Sequence, residues 1–159
     1  MYALPMPPPQ RTRRRCSLTS LKTPQALAAL HARSFTSPRP WSADEFASLL
    51  CQKLVFLVTV PSGFALGRAI AGEAELLTIA VAPNARRMGA GRTLMDLFEN
   101  EAIARESTES FLEVAEDNLA ALSLYRGVGY RESGLRRGYY RSQSGTILDA
   151  QVFRKTIGA

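Results

Sequence analysis

The chain has 159 residues, 46% of them apolar and 21% charged, which is enough to bury one core of ordinary domain size and too little to suggest two. Its formal charge of +6 owes much to four arginines, Arg11, Arg13, Arg14 and Arg15, in a first twenty residues without an acid; the remainder holds 16 basic and 14 acidic side chains. The body therefore requires no nucleic-acid partner, although the basic arm could touch RNA weakly, and the lack of any run of about 18 apolar residues argues against a helical membrane span.

Residues 1–20, MYALPMPPPQRTRRRCSLTS, contain four prolines and little that could enter a core. They are expected to form a disordered basic leader, with the folded domain occupying 21–159. No apolar run follows Arg15 to make a secretory signal, though an acid-free start with Arg and Ser slightly resembles an organelle-targeting peptide. Thr23 and Pro24 predict a helix to about Arg33. It carries the single histidine, His31, for which a structural or substrate-side role is expected, since no nucleophile motif or His/Cys cluster accompanies it and no metal site is supported. Ser42 with Glu45 three residues on is a capping box for a second helix to Leu50. Cys16 and Cys51 lack C-x-x-C spacing and are expected to be free thiols in a reducing cytoplasm, Cys51 half-buried at a helix end. Leu54 to Val60 and Phe64 to Ile70, joined by Pro61-Ser62-Gly63, predict a hairpin, and Gly72 turns the chain into a strand from Glu75 to Val81. A helix from about Gly89 to Arg105, a strand from Ser110 to Val114, a helix from Leu119 to Arg126 and strands near Tyr130 to Gly138 and Leu148 to Lys155 complete the order. The class is α/β (α+β), a mixed central sheet flanked by helices in one domain. The stripe Leu94, Leu97, Phe98 and Ala102 reads as ordinary core.

Leu76 to Asn100, LLTIAVAPNARRMGAGRTLMDLFEN, is the most informative stretch. An apolar strand enters a basic, glycine-containing turn that opens an amphipathic helix, whose first N–H groups and dipole favour an anion. Gly89 and Gly91 let the backbone approach a ligand, and Arg86, Arg87 and Arg92 add cations suited to phosphate oxygens. There is no Gly-Lys pair, so this is not a P-loop, and Thr93 and Leu94 stand where a dinucleotide G-x-G-x-x-G would continue. The remaining R-x-x-G-x-G, carried by Arg86, Gly89 and Gly91, resembles the coenzyme A loop of the GCN5-related N-acetyltransferase (GNAT) superfamily. Phe111 to Tyr130, FLEVAEDNLAALSLYRGVGY, narrows the resemblance to the RimI-like ribosomal-protein alanine N-acetyltransferases through Leu112, Glu113, Val114, Asn118, Ala121, Leu124, Tyr125, Gly129 and Tyr130. It extends from about Leu27 to Phe153.

The resemblance implies the GNAT fold, acetyl-coenzyme A as cosubstrate without a metal, and a protein N-terminus as acceptor: the N-terminal alanine of a small-subunit ribosomal protein. It implies contacts to pantetheine from the backbone of Ile79, Ala80 and Val81, where the family's strand splays from its neighbour. The diphosphate would meet Arg86, Arg87, Met88, Gly89, Ala90, Gly91 and Arg92, and the amide-rich arm Asn118. Trp41 in P-W-S and Tyr139-Tyr140 after Arg136-Arg137 match segments that flank the family's acceptor groove. The location is expected to be cytoplasmic, with no membrane or direct nucleic-acid partner, and the leader an incidental extension that begins upstream of the true start.

The residue types suit the chemistry. A peptide α-amine, with a pKa of about 7.7 to 8.0, must lose a proton before it attacks a thioester. Glu113, at the end of a strand facing the cleft, can take that proton as general base directly or through a water, and Tyr125 can serve as general acid toward sulfur. Asn118, Ala121, Leu122 and Tyr125 are spaced to share one helical face. Other readings stay open at this level: Glu113 paired with an arginine, Tyr125 packed at the core edge, Trp41 stapling the second helix, and the paired tyrosines alternating faces of a strand. Ala115 and Asp117 replace an arginine and a serine common in the family, which would make the surroundings of Glu113 more negative. A small-amine acetyltransferase and a noncatalytic acyl-coenzyme A binding module are the alternative functions.

Overall fold

The computed structural model describes residues 21–35, 39–142 and 144–158; the expected disorder of residues 1–20, and Cys16 with it, lies outside them. Helix α1, Pro24–Ser34, opens as anticipated, with Thr23 Oγ1 accepting the Ala26 N–H. Helix α2, Ala43–Leu50, has both halves of the Ser42–Glu45 capping box. Trp41, just before the cap, packs on Phe46 with ring centroids 5.5 Å apart, a hydrophobic staple that fixes the chain's entry into α2. Cys51, expected to be half-buried, is exposed at the end of α2, because the apolar stripe of this short helix ends before it.

Six strands follow: β1 Val55–Val60, β2 Gly63–Ile70, β3 Glu73–Val81, β4 Glu109–Ala115, β5 Arg131–Arg141 and β6 Ile147–Thr156. They form one sheet in the order β1-β2-β3-β4-β6-β5, antiparallel except for β3 against β4. Helices α3, Ala90–Ala104, and α4, Leu119–Gly127, cover one face through a core that includes Leu94, Met95, Phe98, Leu122 and Tyr125. Helices α1 and α2 cover the β1–β3 part of the other face through Leu27, Leu30, Phe46, Phe64 and Leu66. Among the described residues no helix is long and apolar enough to cross a membrane.

Two irregularities position the site. Against β2, Leu66 pairs with Thr78 but Gly67 pairs with Leu76, so Leu77 is an extra residue in β3. Such a bulge bends its strand and increases its twist. The alternation of side chains flips there: Ala74 and Leu76 face α3, whereas Thr78 and Ala80 face α1 and α2. At the same level the parallel pairing of β3 with β4 ends, its last pair being Leu76 with Leu112. Beyond it Glu113 to Ala115 pair only with β6, and the facing edges of β3 and β4 part. The second irregularity is in β5, where Gly138 was expected to end the strand. The strand instead continues to Arg141, with Gly138 at φ +61° inside a register shift between Arg136 and Tyr140. Its N–H is given to Asp149 Oδ1 at 2.8 Å.

His31 ties the helical layer to the bulge. It is 2% exposed, its Nδ1 accepts the Trp41 N–H at 3.1 Å, and its Nε2 lies 3.1 Å from Thr78 Oγ1. Since Nδ1 accepts, the neutral ring carries its proton on Nε2 and donates it to the threonine. Phe35 stacks on the ring at 4.2 Å. Burial lowers the His31 pKa to about 4, against a smaller opposing effect of the Glu45 charge.

Candidate active site

A cleft of about 680 Å³ lies where the end of β3, the start of α3 and the side of α4 meet. Helix α3 begins at Gly89, at φ +86°, a left-handed conformation that costs a residue with a side chain but not glycine. No side chain caps it, and its first intrahelical bond runs from the Thr93 N–H to the Gly89 carbonyl at 3.0 Å. The N–H groups of Ala90, Gly91 and Arg92 therefore lack helical acceptors and, with the helix dipole, make an anion seat. Gly91 has a different task from Gly89. A Cβ there would come 3.1 Å from Leu124 Cδ2, so its absence lets α3 close on α4.

Of the three arginines expected at the diphosphate, two also brace the cleft. Arg86 reaches the Ser34 carbonyl at 3.2 Å, and Arg92 reaches the Gly127 carbonyl at 3.3 Å. Arg87 lines the cleft at φ +62°, with no hydrogen-bond or ion-pair partner among the described residues. Ile79, Ala80, Val81, Gly89, Gly91 and Asn118 are in the lining as well; Met88, 79% exposed, and Ala90 are not. Asn118 caps α4, its Oδ1 accepting the Ala121 N–H at 3.2 Å, which leaves its amide N–H groups for a ligand. Sequence reasoning missed Ser34 and Phe35, which reach the cleft only because α1 ends there. It also set Asp117 beside Glu113, whereas Asp117 lines this cleft.

Glu113, expected at a strand end facing the cleft, lies two residues before the end of β4 and stands apart from the lining. Its neighbours Leu112 and Val114 enter the α3–α4 core, so its own side chain emerges on the opposite face of the sheet. It is 12% exposed, and its Oε1 accepts from Arg136 Nε at 2.8 Å. The Arg136 guanidinium lies 5.4 Å from the Tyr139 ring centroid, and Tyr139 meets Tyr140 edge-on at 5.0 Å. Burial, then the Glu113 charge, pushes the Tyr140 phenol up to about 12 and raises that of Tyr139. Tyr125 is 5% exposed and packs 6.3 Å from Tyr130. Burial raises its phenol well above the ordinary value, and Tyr140 adds to the shift. The helical face expected to unite Asn118 with Tyr125 is divided: Asn118 and Ala121 line the cleft, while Leu122 and Tyr125 turn into the core. Trp41 is placed by its staple to Phe46 and its stacking on His31 at 5.3 Å.

Residues 17–130 match the model of the acetyltransferase (GNAT) family. The chain belongs to that family. It is 33% identical over 133 residues to the [ribosomal protein bS18]-alanine N-acetyltransferase of Escherichia coli K12, covering 81% of this chain and 90% of that protein. It is 37% identical over 143 residues to the N-alpha-acetyltransferase RimI of Mycobacterium tuberculosis, covering 84% and 87%. Its fold is similar to the crystal structure of the ribosomal-protein-S18-alanine N-acetyltransferase from Escherichia coli, with a TM-score of 0.73 and 30% identity over 83% of this chain and 86% of that one. As a RimI-like GNAT protein the chain is an acetyl-coenzyme A-dependent acyltransferase.

The cleft suits that cosubstrate: an uncapped helix start and arginines for a diphosphate, then an open strand edge for an amide-bearing arm. Gly91→Val is expected to force α3 away from Leu124 and to weaken acetyl-coenzyme A binding about tenfold (about 1.4 kcal/mol). Thermal unfolding with and without the ligand measures this, since saturation at a hundred times the dissociation constant adds about 2.7 kcal/mol to the wild type.

Proposed function

We propose that the protein transfers the acetyl group of acetyl-coenzyme A to the α-amine of a protein N-terminus, with the N-terminal alanine of a small-subunit ribosomal protein as the leading acceptor. The observation that carries this reading is the parting of β3 and β4 after Leu76 and Leu112, with Glu113 the first residue beyond the last pair. The names of the two sequence relatives support the acceptor class. Held along the cleft, acetyl-coenzyme A supplies an activated acyl carbonyl.

The chain's own groups do the rest. Glu113 takes a proton from the acceptor ammonium, directly or through one water; because that amine is already near its pKa at neutral pH, the base need not be strong. The open edge of β3 around Ile79, Ala80 and Val81 offers backbone N–H to a developing oxyanion, a contribution of about 3 kcal/mol where such donors have been removed from other enzymes. Tyr125, protonated at neutral pH as any phenol is and more firmly so for its burial, carries on its hydroxyl the proton that a departing thiolate needs. Tyr139 and Tyr140, beside Glu113, are the walls against which the acceptor's first residue would pack, and Trp41 would act at the groove by holding the start of α2.

The test is mass spectrometry of peptides with varied first residues after incubation with acetyl-coenzyme A. The α-amine of peptides starting with alanine or another small residue should be modified and lysine side chains largely spared. Preferential modification of free small amines would point to a small-molecule acetyltransferase. Binding of acetyl-coenzyme A without turnover would point to a noncatalytic module.

A further inference from the structure

The Glu113 carboxylate is bound by a cation of the protein itself. Arg136 Nε is 2.8 Å from Glu113 Oε1, and the same guanidinium lies over Tyr139, which meets Tyr140 edge-on. A carboxylate flanked by aromatic faces is the chemistry that recognises an ammonium ion. We propose that Arg136 sets acceptor specificity by occupying the ammonium seat formed by Glu113, Tyr139 and Tyr140, so that an acceptor must displace its guanidinium to reach the base. This rests on Glu113 being the group that meets the acceptor amine.

The surroundings allow the exchange. Arg136 is 56% exposed on β5, the edge strand of the sheet, so a displaced guanidinium returns to water. It borders the irregular segment that ends at Tyr140, where regular ladder pairing is interrupted and Gly138 turns aside to Asp149. The arginine gives up one ion pair and is rehydrated on leaving, and the largely buried Glu113 carboxylate requires that another cation, the acceptor ammonium, take its place. Glu75, the other carboxylate that acts on Tyr139, is paired with Arg68 on β2, so Glu113 is the acid left unmatched when Arg136 leaves. Selectivity follows. A small amine has only its ammonium with which to compete against a tethered guanidinium at high effective concentration. A peptide gains further contacts along the open sheet face and can afford the displacement, so the device disfavours the wrong acceptor rather than favouring the right one.

The experiment is calorimetric titration of alaninamide, and of a hexapeptide beginning with alanine, into the coenzyme A-bound protein, with steady-state kinetics on the same variants. Arg136→Ala should tighten alaninamide about three- to tenfold, as expected when a self-blocked fraction is released. The gain should appear in KM rather than kcat and be smaller for the peptide. Arg136→Lys, which keeps a tethered cation, should remain near wild type, and Glu113→Gln should weaken both ligands. If Arg136→Ala weakens the ligands, leaves them unchanged or lowers kcat at constant KM while Glu113→Gln still weakens them, the seat-blocking role is overturned and the base assignment survives. If Glu113→Gln changes neither affinity nor rate, the base assignment itself fails.

Discussion

Glu113→Gln should lower kcat for peptide acetylation by about a hundred- to ten-thousand-fold, the usual range for removal of a general base, while leaving acetyl-coenzyme A affinity close to that of the wild type. The separation follows from the geometry. The groups proposed to hold the cosubstrate belong to β3, the start of α3 and the cap of α4, and Glu113 is outside that cleft lining, on the other face of the sheet. The substitution keeps the side chain's shape, and the amide oxygen can still accept from Arg136, so the fold around β4 should hold. What disappears is a proton acceptor where the gap between β3 and β4 opens. Steady-state kinetics with an alanine-starting peptide, beside a binding titration of acetyl-coenzyme A, checks both halves. Undiminished kcat would remove Glu113 from the chemistry and leave it as the partner of Arg136.

The second large effect is on stability. His31 has an unperturbed pKa of 6.5 and, buried in the fold, one of about 4. Above pH 6.5 it is neutral in both folded and unfolded chains and contributes no pH dependence. As pH falls from 6.5 toward 4 the unfolded chain binds a proton that the native ring refuses, so unfolding becomes easier. The loss is about 2 kcal/mol by pH 5 and about 3 kcal/mol by pH 4, after which it levels off. Glu45, held near 2 chiefly by Arg39, begins to lose stability only below its ordinary 4.5, so the interval from pH 6.5 to 5 reports mainly on the histidine. Urea unfolding across that interval should show the slope in the wild type and a flatter profile in His31→Gln, at a lower overall stability because the link from Trp41 to Thr78 is impaired. An unchanged slope in the variant would mean that other groups carry the acid sensitivity.

Much of this architecture was legible because its signals are local. Thr23-Pro24 and Ser42 with Glu45 are helix starts whose hydrogen bonds close within four residues, and the strand runs on either side of Gly63 and Gly72 are separated by turns that glycine marks. What escaped reading depends on partners far away in the chain. The Leu77 bulge sits in a run, ELLTIAV, with no glycine to announce it, and only the pairing with Leu66 and Gly67 of β2 reveals the extra residue. Gly138 looked like a strand end because glycine often is one; here Asp149, from the neighbouring strand, takes its N–H and lets β5 continue.

The candidate site divides in the same way. The R-x-x-G-x-G loop pointed to the uncapped start of α3 with Gly89 at positive φ, since helix starts and positive φ are short-range properties. It left unseen that Gly91 is there for Leu124 and that two arginines brace carbonyls of α1 and α4. Glu113 and Arg136 meet only because β6 brings β4 and β5 to its two sides, an order that no spacing between positions 113 and 136 encodes. The burial of Tyr125 was likewise open, because a helix of this length shows which residues share a face but not which side of that face is covered.

In the proposed reaction the acyl end of the cosubstrate and the acceptor's base meet where β3 and β4 part. A crystal structure of the protein with coenzyme A bound tests it most directly. The diphosphate should lie against the N–H groups of Ala90, Gly91 and Arg92, with the sulfur in the gap between Ile79–Val81 and the β4 segment that begins at Glu113. A sulfur lying away from that gap, remote from both Glu113 and Tyr125, would rule out both residues as the acid and base of the transfer.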